Sequence, residues 1–135
     1  MALVKRSIIR QSVVLPAAAD RLFAMYLDPR RHAAITGGPV KISAKPGAAF
    51  RAFGGSLSGR MLAVEKPHLI VQFWRSVNFA KDDPDSVLIL SFRAAGRSRG
   101  RIDLLQLDVS KGDCRGVTEG WKLHYWKPWR RLLSA

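Results

Sequence analysis

Cysteine is almost absent from this chain. Cys114 is the only one in 135 residues, so no disulfide can form within it. A lone thiol fits a reducing compartment, and a cytoplasmic location is the expectation. Long apolar runs are absent too. No window approaches the roughly eighteen consecutive apolar residues of a membrane-spanning helix. The opening "MALVKRSIIRQSVVLP" is broken by Lys5, Arg6, Arg10 and Gln11 and has no uninterrupted apolar stretch, so no secretory leader is expected. Acidic residues are scarce, 10 against 23 lysines and arginines, which leaves a formal charge of +13. There are no internal repeats, linkers or low-complexity tracts, and this length fits one domain, residues 1–135.

The motifs of common enzyme classes are missing as well. There is no GxSxG elbow, no P-loop and no dinucleotide fingerprint. "FGGSLSGR" (53–60) is glycine-rich, but it lies between strands and leads into no helix, so a turn or bulge is the reading. His32, His68 and His124 are scattered and, with Cys114, lack metal-ligand spacing, so neither metal nor cofactor is expected. Glu65, Asp103 and Asp108 sit on or at the ends of strands, where surface charge is the expectation. The chain reads as a non-enzyme.

What is present is apolar residues at 47%, enough for a packed core. "SIIRQSVVL" (7–15) reads as a strand. "PAAADRLFAMYLDP" carries Leu22, Phe23, Tyr26 and Leu27 at helical spacing and ends at Pro29. "RRHAAI" is a second short helix, stopped by "TGGP". The pattern then changes to period two. "VKIS", "AAFRAF", "SLSGRMLAVE", "LIVQFWRS", "VLILSFRA" and "RIDLLQLDV" read as strands, with "VNFAKDDPDS" and "SKGDCRG" as loops.

Three of the four tryptophans fall in "GVTEGWKLHYWKPWRRLL" (116–133). At helical spacing Val117, Trp121, Tyr125, Pro128 and Leu132 lie within about 80° of one another. Trp129, Leu133 and Trp126 widen that face. So broad an apolar arc suits burial against a concave sheet better than a helix lying flat on a bilayer, so no membrane insertion is expected. Pro128 cannot donate to the carbonyl of His124, and a kink is expected there.

The order of several short motifs resembles bacterial homologues of the activator of the ninety-kilodalton heat-shock protein ATPase. The motifs are Thr36-Gly37, Gly47 to Phe50, Gly59, Ile70-Val71-Gln72 with Trp74-Arg75, and Gly120-Trp121 with Tyr125 and Pro128. Gly100-Arg101, and "LDVS" after Gln106, depart from the family pattern. The resemblance implies an α+β helix-grip fold of the START-like (SRPBCC) superfamily. In that fold a curved antiparallel sheet of six to seven strands wraps a long C-terminal helix, with two short helices after the first strand. It also implies a cavity for a small hydrophobic ligand between sheet and helix. The candidates to line it are Met61, Trp74, Phe79, Phe92, Leu104, Gln106, Trp121 and Tyr125. Gln106 then needs a buried partner, such as Tyr125, or a ligand. Two other readings stand beside ligand binding. One is a co-chaperone-like partner of a heat-shock ATPase. The other is a basic RNA-binding module. The arginine-rich "RAAGRSRGR" (93–101), with Arg93, Arg97, Arg99 and Arg101, predicts non-specific attraction to polyanions.

Overall fold

The computed structural model describes residues 6–134. The first five residues of the opening segment lie outside the described residues. Six antiparallel strands form one sheet in the order β1-β6-β5-β4-β3-β2. They are β1 Arg6–Leu15, β2 Ala49–Ala52, β3 Leu57–Glu65, β4 Leu69–Ser76, β5 Ser86–Ala94 and β6 Gly100–Ser110. Helices α1 (Ala19–Leu27) and α2 (Pro29–Thr36) follow β1, and a helical segment from Cys114 to Leu133 closes the chain. This is the α+β helix-grip arrangement implied by the motifs. The predicted strand "VKIS" is reduced to one bridge, Lys41 to Arg51. No helix among the described residues is long and apolar enough to cross a membrane.

Local chemistry explains the helix boundaries. The Asp28 carboxylate accepts from the backbone N–H of Arg30 (2.9 Å) and Arg31, with Pro29 at the first helical position. Gly37 then ends α2 with φ 83°, a conformation that costs glycine little. Between strands, a Cβ at Gly59 would lie 1.8 Å from the Phe73 carbonyl oxygen, so only glycine lets β3 approach β4 here.

Alternation sets the sheet's two faces. Ile70, Gln72, Trp74 and Ser76 of β4 are buried, as are Ser86, Leu88, Leu90 and Phe92 of β5 and Ile102, Leu104 and Gln106 of β6. All of these face the helices. The loop after β4 folds back on the end of that strand. Arg75 donates to the carbonyls of Ala80 and Asp83, and Phe79 packs 5.9 Å from Trp74.

The C-terminal helix differs from its predicted form. It runs α-helical as α3 (Cys114–Trp121), changes to a π turn over Lys122–Trp126, and resumes as α4 (Lys127–Leu133). Lys127 N–H bonds to Lys122 O, five residues back. A π turn inserts one residue relative to α-helical phase. The buried face therefore runs Val117, Trp121, Tyr125, Trp126, Trp129, and not through Leu132, which is 40% exposed. Pro128 has no N–H to give the His124 carbonyl and its ring crowds that preceding turn, so the π turn over Lys122–Trp126 lies where a proline at 128 disturbs a helix.

Candidate functional site

The tryptophan-rich helix and one end of the sheet enclose a half-open cleft of about 350 Å³. The turn after β2 and the start of β3 supply Phe53, Ser56 and Leu57. The end of β4 supplies Trp74 and Ser76, and Val77 and Asn78 follow them. The helix contributes Gly116, Val117, Gly120, Trp121, His124 and Tyr125. Among the described residues, no lysine, arginine, aspartate or glutamate lines it.

Two hydrogen-bonded chains hold the aromatic walls. In the first, Trp121 Nε1 donates to Gln106 Oε1 (2.9 Å). Gln106 Nε2 then donates to Ser86 Oγ (3.0 Å), which donates to the Trp74 carbonyl (2.6 Å). Gln106 thus finds its partner on the helix, but it is Trp121 and not Tyr125. In the second chain, His32 Nδ1 lies 2.7 Å from the Tyr26 carbonyl and Nε2 lies 2.8 Å from the Tyr125 hydroxyl. A carbonyl only accepts, so Nδ1 carries the proton and Nε2 accepts from Tyr125. The Tyr26 hydroxyl donates to Gln72 Oε1 (2.6 Å).

Burial dominates the electrostatics of this second chain. Desolvation lowers the His32 pKa to about 4, against a smaller opposing effect of its bond to Tyr26. Desolvation also pushes both Tyr125 and Tyr26 well above the ordinary phenol value, with the neighbouring Tyr125 adding to the rise at Tyr26. The imidazole and both phenols are therefore held neutral.

Of the eight candidates, Trp74, Trp121 and Tyr125 line the cleft. Met61, Phe79, Phe92, Leu104 and Gln106 are buried but lie outside its lining. Phe92 packs edge-on against Phe23 of α1 at 5.4 Å, and Gln106 sits behind Trp121. The cleft lies nearer the β2–β3 turn than the strand alternation of β5 and β6 suggests. Sequence reasoning missed His32, Gln72, Phe53 and Gly120. Gln72 was within reach of it, because it shares parity with the inward Trp74. His32 carried no such signal, since its partner Tyr125 is 93 residues away.

The basic hairpin is less free than its composition suggests. Asp103 pairs with Arg93 (3.4 Å) and Arg101 (2.9 Å). Burial raises the Asp103 pKa, but bonds from Ser12 and Arg101 and the charges of Arg101 and Arg93 outweigh it and leave the carboxyl below its ordinary value. Arg97 and Arg99 stand exposed, with no ion pair among the described residues.

Comparison with known proteins places this geometry. A protein of Schizosaccharomyces pombe, the uncharacterized protein C1711.08, is 30% identical over 118 residues, covering 80% of this chain. The chain spans only 35% of that relative's length. Among solved structures, PFC0360w, an HSP90 activator from Plasmodium falciparum, superposes with a TM-score of 0.84 at 18% identity, covering 94% of this chain and 96% of that one. The Aha1 dimer from Colwellia psychrerythraea gives 0.78 at 6% identity over 94% and 96% of the two chains. DynU16, from the dynemicin biosynthetic locus, gives 0.76 at 19% identity, covering 95% of this chain and 47% of that one. These structures share the fold. Residues 16–130 match the family described as Activator of Hsp90 ATPase homolog 1-like protein, and the chain belongs to that family.

Proposed function

We propose that this chain is a non-enzymatic, cytoplasmic binding domain for a small hydrophobic ligand, held between the C-terminal helix and the β2–β4 end of the sheet. The observation that carries this reading is the cleft. Its volume of about 350 Å³ is in the range of small-molecule sites, and its lining is largely aromatic and aliphatic with a few polar groups, Ser56, Ser76, Asn78 and His124. Acid–base catalysis asks for a group that changes protonation near the working pH. His32 and Tyr26 behind the cleft, and Tyr125 on its wall, are held neutral, which supports binding over acid–base turnover at these three groups. Native mass spectrometry of freshly purified protein tests the proposal. A co-purified ligand adds discrete mass, and Leu57→Trp, which fills the cleft, abolishes the added mass while the fold survives. Added mass that persists in a folded Leu57→Trp variant would place the ligand elsewhere.

A second reading is a co-chaperone-like contact with a heat-shock ATPase. Family membership and the likeness to PFC0360w favour it. It predicts faster ATP turnover by a ninety-kilodalton heat-shock protein on mixing, undiminished by Leu57→Trp. The RNA-binding reading is the weakest, because Asp103 occupies two of the four hairpin arginines.

A further inference from the structure

Glycine is the poorest helix former apart from proline, and two glycines on the helix face the cleft. They are not equivalent. A Cβ at Gly116 would lie 2.8 Å from Asp113 Oδ1, so a side chain there must first displace the Asp113 carboxylate. Gly120 is different. Its backbone is ordinary α-helix, and a Cβ there would meet only His124 Cδ2 at 3.9 Å, a normal van der Waals distance. No contact among the described residues requires a glycine at 120. Gly120 itself lines the cleft beside Trp121, and the one atom its Cβ would meet, His124 Cδ2, belongs to another lining residue.

We infer that Gly120 is the specificity-determining residue of the cleft, kept bare so that a flat, uncharged aromatic ligand can lie against the helix backbone. The inference rests on the ligand-binding reading and adds the ligand's shape and charge to it. Flatness follows from the walls. Trp121 and Tyr125 rings stand 4.6 Å apart on the helix, Trp74 lies 6.2 Å from Trp121, and Phe53 packs edge-on to His124 at 5.3 Å. These rings pack directly against one another, and the aromatic wall they form favours a flat ring laid on it. Neutrality follows from the lining, which offers no charged partner to an ion that must leave water.

The test sets stability against binding. N-phenyl-1-naphthylamine, an uncharged aromatic dye, is titrated into the wild type, Gly120→Ala and a control, Gly112→Ala. Gly112 is outside the cleft lining and a Cβ there meets nothing within 4 Å. One methyl group in an apolar pocket typically changes affinity by roughly 10-fold or more. Gly120→Ala is expected to weaken dye binding by about that factor while melting about 2–5 °C higher, because alanine favours the helix. Gly112→Ala should leave binding unchanged. Loss of binding in Gly120→Ala with a lower melting temperature would show that glycine serves packing, and would overturn the inference. Equal binding by wild type and Gly120→Ala would overturn it and leave the cleft reading standing. If the wild type binds no dye, the cleft reading itself falls, and this inference falls with it.

Discussion

Acidification should act on this fold through His32, and the size of the effect follows from its burial. The ring is fully buried, between the Tyr26 carbonyl and the Tyr125 hydroxyl. Its pKa is about 4 in the fold against 6.5 for the free side chain. Between those values the unfolded chain binds a proton that the folded chain refuses. Stability therefore rises with pH in this window. The contribution is fully present above pH 6.5 and is lost as the pH falls from 6.5 through 4. The whole displacement is worth about 3 kcal/mol, of which about 2 kcal/mol is gone at pH 5. His32→Gln removes the titration and shifts the donor and acceptor away from the positions the imidazole holds between Tyr26 and Tyr125. It should cost about 1–3 kcal/mol at pH 7.5, the usual penalty for a buried polar group left alone. Urea denaturation from pH 7.5 to 4.5 reads both chains. The wild type should lose stability steeply below pH 6.5, the variant should lose less, and the two curves should converge. Carboxylates such as Asp103 titrate in both proteins and cancel in the difference. A wild-type curve parallel to that of the variant across this range would refute the argument, because it would mean the imidazole is protonated or solvated in the fold.

Three further outcomes are expected. Trp121→Ala should destabilise by about 3–5 kcal/mol in urea denaturation, since it removes a buried indole and strands Gln106 Oε1; a loss under about 1 kcal/mol would mean the sheet does not grip the helix. Deleting the exposed Leu123 from the π turn should be tolerated in a thermal melt, whereas deleting Thr118 should unfold the domain; equal damage from both would refute the one-residue insertion. Heparin affinity should collapse between low and physiological salt and fall further in Arg97→Ala/Arg99→Ala; persistent sub-micromolar, sequence-selective RNA binding at physiological salt would refute a purely non-specific hairpin.

Period-two alternation was the most legible part of this sequence. It placed Trp74, Phe92, Leu104 and Gln106 on the buried face because a strand offers only two faces. It said less about where the sheet leaves space. The cleft forms where the β2–β3 turn and the end of β4 meet the helix, and that depends on the turn at Phe53, which carries φ 52°. Pairings across long sequence distances were also illegible, as at Gln106 with Trp121 and His32 with Tyr125, because many buried acceptors would satisfy the same donor.

Helix phase failed at one residue, and the failure is instructive. A π turn is a hydrogen-bond register and not a residue type, so no single position announces it. The evidence is distributed. Val117, Trp121, Tyr125, Trp126, Trp129 and Leu133 drift around an ideal α-helix by roughly half a turn. If one residue between Trp121 and Tyr125 is skipped, the same six fall on one stripe. The buried set is that stripe, with Leu133 half-buried at its end and Leu123 turned out to solvent at 53% exposure. The insertion turns both Tyr125 and Trp126 inward, so the helix can meet two partners at one level. Tyr125 reaches His32 on α2, and Trp126 Nε1 reaches Gln11 of β1 at 2.7 Å. An unbroken α-helix would have to choose between them. The turn begins one residue after the Gly120-Trp121 pair, so the irregularity that ties the helix to both flanks also fixes the orientation of the cleft wall.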